Sequence, residues 1–419
     1  MTPTTRLLTA ARIPLVRNTA ALVANTAING VLGLAYWVAA ARLYDPTTVG
    51  LGAGAVSGLV FVASIGWIGI QQVLLRYLPV AGAARGRLIV AVYASAIGIA
   101  LVSAVVFLVY ASGNRELQFL AAGPLPAVGF LSAVVVWVVF SLQDPALFAL
   151  GKAHWVPAEN LAFGLAKLGL LVAFAGLASP WAIFGSWILG AAWLVFVVNA
   201  AVARAAAHVD PAAGPGGSIA ARRIARFAIG QHVVAVLAAA PDSLAPLIVL
   251  GLLGGEATAY YYAAWTISFS VRLLAVNLGS AVTVEGARQG SAMPDRHHIR
   301  RLVMIVVVPA AAAAWLLAGV AMSIYGIRYA EHGTDLLRVL LVAVVPFTGT
   351  TLFLVGERIA ERTVASLAIV GTTTLVTVGL DLALLPRLGL VGAGWAMLVA
   401  QTLAFVMTRV IIASRVRPG

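Results

Sequence analysis

Four ionisable side chains stand where an apolar sequence tolerates them least. Lys167 lies near the middle of one long hydrophobic run, Arg272 and Asp242 lie within two others, and Asp381 falls toward the end of a fourth. Each costs roughly 2.5–3.5 kcal/mol on membrane-insertion scales and so calls for a partner or an aqueous cavity. An arginine fork matches phosphate oxygens and a lysine supplies a compact charge, so Lys167 and Arg272 together suit a phosphate or pyrophosphate headgroup. The competing arrangement is a structural ion pair with Asp242, Asp381 or backbone carbonyls. The two acids are candidates for ion coupling, or for simple pairing with a neighbouring donor. Asn18, Asn25 and Asn29 are spaced seven and four apart and share one helical face. With Gln71 and Gln72 they offer donors and acceptors to a sugar in a hydrated cavity, or hydrogen bonds between helices.

Chemistry of other kinds lacks its residues. No GxxxxGK[ST] loop and no HExxH motif occurs, and His297 with His298 sits in a basic loop. Cysteine is absent, which excludes disulfides, thiolate metal sites and cysteine nucleophiles. The chain reads as a non-enzyme that requires no cofactor and no metal.

The elements that carry these groups are membrane helices. Only 10% of the 419 residues are charged, against roughly a quarter in a soluble protein, and mean hydropathy is +1.01. A bilayer core about 30 Å thick needs roughly 20 apolar residues per helix. Twelve segments qualify: 18–41, 48–75, 87–111, 120–142, 155–177, 180–203, 226–252, 256–282, 300–323, 335–355, 363–385 and 389–413. The joins at 178–179, 253–255 and 386–388 rest on Ser-Pro, Gly-Gly and Pro-Arg pairs. The basic N-terminus is followed by an apolar run too long for a signal peptide and without a convincing cleavage site, so it reads as an uncleaved first span.

With the N-terminus inside, 20 basic residues fall in cytoplasmic segments and five outside, namely Arg42, Arg115, Arg328, Arg338 and Arg387. That bias orients both termini to the cytoplasm. It also accounts for the +13 net charge without nucleic acid, since basic loops face anionic inner-leaflet lipid. The longest connection, 204–225, contains DPAAGPGGS and separates six spans (1–203) from six (226–419). Across it LYDPTTVGLGAGAVS at 43–57 aligns with LGGEATAYYYAAWT at 253–266, setting Asp45 over Glu256 and Thr47 over Thr258 at an offset of 211. A repeat at half length predicts duplicated bundles related by an axis along the membrane normal. Asp45 is expected to cap a helix, and the small residues after it to let helices approach closely.

NTAINGVLGLAYWVAAARLYDPTTVGLGAGAVSGLV, LAPLIVLGLLGGEATAYYYAAW and LALLPRLGLVGAGWAMLVAQ resemble the polysaccharide-transporter branch of the multidrug/oligosaccharidyl-lipid/polysaccharide (MOP) exporter superfamily, the O-antigen flippase type. The resemblance implies an all-α, MATE-like fold of two six-helix bundles in a bacterial cytoplasmic membrane. It implies alternating access that moves a polyprenyl-pyrophosphate-linked oligosaccharide between leaflets for surface polysaccharide biosynthesis. Lys167 and Arg272 would be the cations of its central cavity, with the lipid-linked oligosaccharide, membrane lipid and other polysaccharide-assembly proteins as partners. Asp381 stands where many relatives have asparagine. Two alternatives share parts of this pattern. A drug or metabolite antiporter has the same fold but carries an acidic cation site in its first bundle, where the first span here has only asparagines. An integral glycan polymerase would carry a large catalytic outer loop.

Overall fold

A computed structural model describes residues 28–207, 221–288, 296–359 and 362–416. Among them the secondary structure is helical throughout: α1 (Ile28–Leu43), α2 (Pro46–Trp67), α3 (Gln71–Tyr77), α4 (Arg85–Ser112), α5 (Pro124–Ala149), α6 (Val156–Ala173), α7 (Pro180–Ala207), α8 (Ala221–Arg288), α9 (Arg296–Leu316), α10 (Ala318–Ser323), α11 (Ile327–Ile359), α12 (Thr363–Leu388) and α13 (Val391–Val416). Nine helical stretches among the described residues are long and apolar enough to cross a membrane. Helix is the structure such runs must take in lipid, because each backbone amide then finds its partner within the segment. Valines along α4, including Val102, Val106 and Val109, face outward, as a lipid-facing surface requires.

Every predicted span is mainly helical over its described residues, yet the joins differ in detail. α8 is two antiparallel arms: Gly254 (φ +84°) leaves helical geometry, and Asp242 meets Arg272 thirty residues along the chain. We write α8a for 221–253 and α8b for 255–288. The predicted span 48–75 breaks at Gly69 (φ +84°) into α2 and α3. The predicted span 300–323 breaks at Leu317. The turn placed at 386–388 falls instead at Gly389 (φ +60°), because Pro386 is accommodated inside the last turns of α12. Helix enters the predicted 204–225 linker from both sides, through Ala207 and from Ala221. Asp45 caps α2 as expected, its Oδ1 accepting from the Thr48 amide at 2.9 Å.

Two large apolar cores organise the packing. One joins α2–α7 and includes Leu247 and Leu250 of α8a. The other joins α8–α13 with α1, through Tyr36, Trp37 and Ala40, and with parts of α2, α6 and α7. The described part of α1 therefore lies between the halves instead of wholly within the first, which neither its hydropathy nor its place in the chain encodes. α2 runs against α8 along the central seam. Its glycines make that possible: a Cβ at Gly50 would fall 1.7 Å from the Gly255 carbonyl oxygen, and one at Gly54 would fall 2.3 Å from Leu250. The repeated segments thus meet backbone to backbone, with small residues permitting the approach.

Candidate functional site

Lys167 sits on the face of α6 turned toward α1 and α7. Gly190 on α7 gives it room, since a Cβ there would lie 3.2 Å from the Lys167 amide nitrogen. The residue is 7% exposed. Its ammonium lies over three rings, 4.2 Å from the Trp187 centroid, 4.8 Å from Phe163 and 5.1 Å from Tyr36. No carboxylate pairs with it among the described residues. Tyr36 is itself fixed, its hydroxyl 2.7 Å from Ser186 Oγ and 3.1 Å from the Ile183 carbonyl oxygen. Desolvated cation–π contacts are worth about 2 kcal/mol or more, so three of them match the insertion cost of a lysine without needing an acid. The charge is therefore not spent on an acid among the described residues.

Arg272 is differently placed. Its guanidinium donates to both oxygens of Asp242, at 2.7 and 3.1 Å, and Trp265 Nε1 donates to the same carboxylate at 3.2 Å. It also lies 4.2 Å from the Phe347 ring centroid. The structural pair weighed in the sequence is thus the one formed, so Arg272 is engaged by an acid, whereas Lys167 is paired with none among the described residues. The physical reason is reach: α8 folds back at Gly254 and brings the two arms together, so the acid is nearer to the arginine than any element of the other half.

A row of aromatic rings links the two cations. Tyr36 and Trp37 stand 5.2 Å apart on α1, and Trp37 meets Tyr262 of α8b at 4.4 Å. From there the row continues through Trp265 at 5.4 Å and Phe269 at 4.8 Å to Arg272, 5.8 Å from the Phe269 ring. These rings are functional candidates that reading for charge alone passed over; the triplet Tyr260–Tyr261–Tyr262 beside Trp265 was the available signal.

Asp381 is 1% exposed, and neither carboxylate oxygen has a hydrogen-bond partner. The expected pairing with a neighbouring donor is therefore not made. Thr373 and Thr377 precede it at four-residue intervals on the same buried face of α12, but each hydroxyl donates to a carbonyl of its own helix. The Tyr261 hydroxyl feels the charges of Asp381, Asp242 and Arg272, all in the second half. A further pair of acids stands in the first half. Glu159 on α6 is 5% exposed with both oxygens unpartnered, within electrostatic reach of Asp144 on α5, which accepts from Asn160 at 3.2 Å. Asp144 sits directly before Pro145 in a long apolar run, which was the signal for it. Gln71 and Gln72 open α3 and are half-buried, and Asn29 is exposed near the start of the described part of α1. Asn18 and Asn25 lie outside the described residues, so their face cannot be followed further.

The whole arrangement has known counterparts. MurJ, a lipid II flippase in its inward closed conformation, superposes with a TM-score of 0.69 at 9% identity, covering 95% of this chain and 87% of its own. A MOP superfamily transporter from Pyrococcus furiosus, described as having a binding pocket of reverse polarity, gives 0.63 at 16% over 96% and 95%. A multidrug-resistance MATE transporter in its outward-facing conformation gives 0.61 at 16% over 96% of each chain. The fold is that of MATE transporters and of MurJ. It is an all-α, multi-span membrane fold. No family model and no curated protein matches the chain, so the likeness is one of fold.

Proposed function

We propose that this protein is a flippase carrying a polyprenyl-pyrophosphate-linked oligosaccharide from the inner to the outer leaflet of a bacterial cytoplasmic membrane, for surface polysaccharide biosynthesis. Twelve spans in two six-helix bundles, with both termini cytoplasmic, rock about the central seam to expose the site to each side in turn. The observation that carries this reading is Lys167, a buried cation held by rings and unpaired with any described acid. A site whose available charge is positive attracts the pyrophosphate and repels a cationic drug. The aromatic row from Tyr36 to Phe269 offers flat apolar faces to sugar rings, and Asn25, Asn29, Gln71 and Gln72 supply hydroxyl partners. Arg272 contributes positive potential from behind Asp242. Asp381, whose carboxyl has no hydrogen-bond partner among the described residues, is the candidate ion-coupling group, with Asp242 as the second. A lipid II flippase and a transporter of reversed pocket polarity among the similar folds support the reading.

The test is export in cells deleted for the protein. Lys167→Ala is expected to abolish surface glycan while the protein reaches the membrane at normal level, and Lys167→Arg to restore part of it. Full export by Lys167→Ala would reject the role.

One observation favours the second reading, a cation-coupled drug or metabolite antiporter: half-buried Asp144 and buried Glu159 provide an acidic site in the first half. On that reading Glu159→Gln abolishes efflux of cationic dyes, whereas the flippase reading has no dye efflux to lose.

A further inference from the structure

A second cationic site lies away from the central seam. Arg85 opens α4, Lys152 follows the end of α5, and Arg204 stands in the last turn of α7. These three side chains line one open hollow of about 650 Å³ with Trp155, Leu150 and Pro79, and no carboxylate lines it. Each arrives there by local structure. Gly151 (φ +73°) turns the chain at the end of α5, and the Lys152 amide donates to the Leu147 carbonyl oxygen at 2.8 Å, which aims the lysine outward past a closed helix end. The Lys152 side chain makes no hydrogen bond or ion pair among the described residues. The first turn of α4 has no side-chain cap, so its unpaired amides add positive potential at the same end. The acids Asp144 and Glu159 sit roughly 6–9 Å along their helices from Leu150 and Trp155 at 1.5 Å per residue, and neither lines the hollow.

The hollow is mixed in a way that defines its ligand. Three cations call for a phosphate, while Leu150, Pro79 and a half-exposed Trp155 give it an apolar wall of the kind found at the level of lipid headgroups. All the elements that meet here end on the side that the basic bias assigns to the cytoplasm. We infer that this hollow binds the phosphate headgroup of a lipid in the cytoplasmic leaflet, independently of Lys167. The phosphate can belong to an anionic glycerophospholipid or to a polyprenyl phosphate carrier. A soluble anion fits less well because half the wall would stay unmatched.

The test uses the purified full-length chain, delipidated in detergent and examined by native mass spectrometry with phosphatidylglycerol, polyprenyl phosphate, phosphatidylcholine or inorganic pyrophosphate added. The wild type is expected to retain one phosphatidylglycerol or one polyprenyl phosphate per chain, and whichever is retained more strongly identifies the source. Basic side chains near an anionic surface contribute about fivefold each, so K152Q should weaken retention about fivefold and the R85Q/K152Q/R204Q variant about a hundredfold. Because the Lys152 side chain is exposed and unbonded, K152Q reports even where the triple variant fails to fold. Lys167→Ala should leave phosphatidylglycerol retention unchanged, which separates this site from the proposed transport site. Equal retention by K152Q and wild type, equal binding of phosphatidylcholine, or complete displacement by an equal concentration of inorganic pyrophosphate would overturn the inference.

Discussion

At Lys167 three rings replace the carboxylate that a buried ammonium ordinarily requires, and each ring can be removed separately. Trp187 is the nearest at 4.2 Å, so Trp187→Leu should impair transport more than Phe163→Leu, at 4.8 Å, provided both proteins reach the membrane. Equal loss in the two would point to packing and not to the charge. The Arg272–Asp242 pair poses the opposite case. Removing one partner leaves a buried charge uncompensated, which costs about 3–5 kcal/mol. Asp242→Ala and Arg272→Ala should each lower thermal stability in detergent strongly, and the double variant by much less than their sum. Additive losses would mean that the two groups act independently. Lys167 and Arg272 looked equivalent in the sequence because both are isolated basic residues in apolar runs. Only the position of the nearest acid distinguishes them, and that acid is thirty residues away from Arg272 in the chain.

Among the elements, α2 bears the tightest constraint. Its Gly50 leaves no space for a methyl group against the Gly255 carbonyl, and a backbone neighbour cannot rotate away as a side chain can. Gly50→Ala is therefore expected to destabilise by ~1–3 kcal/mol or to splay the seam, read as lower melting temperature and broader size-exclusion profiles. Gly98→Ala on α4 is the control, since nothing lies within 4 Å of its added Cβ. The run PTTVGLGAG announced close approach by its composition, and Asp45 announced the start of the helix. Which helix would come close was not legible, because small residues define a surface without naming its partner. The breaks at Gly69, Gly254 and Gly389 all use positive φ, which glycine adopts freely. The Pro-Arg join was misplaced by a few residues because a proline near a helix end can stay within the helix when the chain already bends there.

At the scale of the whole molecule, the halves touch at both ends of the seam. On the predicted outer side Arg42, at the end of α1, donates to the Ile324 and Ser323 carbonyl oxygens at 2.9 and 3.0 Å, satisfying the unpaired end of α10. On the predicted inner side His232 of α8a meets the Ile68 carbonyl oxygen at 2.5 Å. Alternating access requires such contacts to open one at a time. The chain has no cysteine, so a pair introduced at Arg42 and Ser323 can be joined by a short bismaleimide without background. Joining them is expected to stop transport, whereas the two cysteines left unjoined should permit it. Unimpaired transport after complete joining would show that the halves need not separate there.

By itself the sequence determined the solvent and the type of element, and it predicts an orientation. Few charges, long apolar runs and the placement of arginines are local or additive properties, and a bilayer leaves such a chain no alternative to helix. It also determined that Lys167, Arg272, Asp242 and Asp381 would be costly, since that cost depends on residue type and depth. Tertiary structure alone decided which of these charges would be spent on one another. The return of α8 at Gly254 consumed Arg272 and Asp242, the meeting of α1, α6 and α7 surrounded Lys167 with rings, and α12 left Asp381 unpartnered. The reason is that pairing depends on distances of a few ångströms between residues far apart in the chain, and such distances are fixed by how helices pack and not by what each one contains.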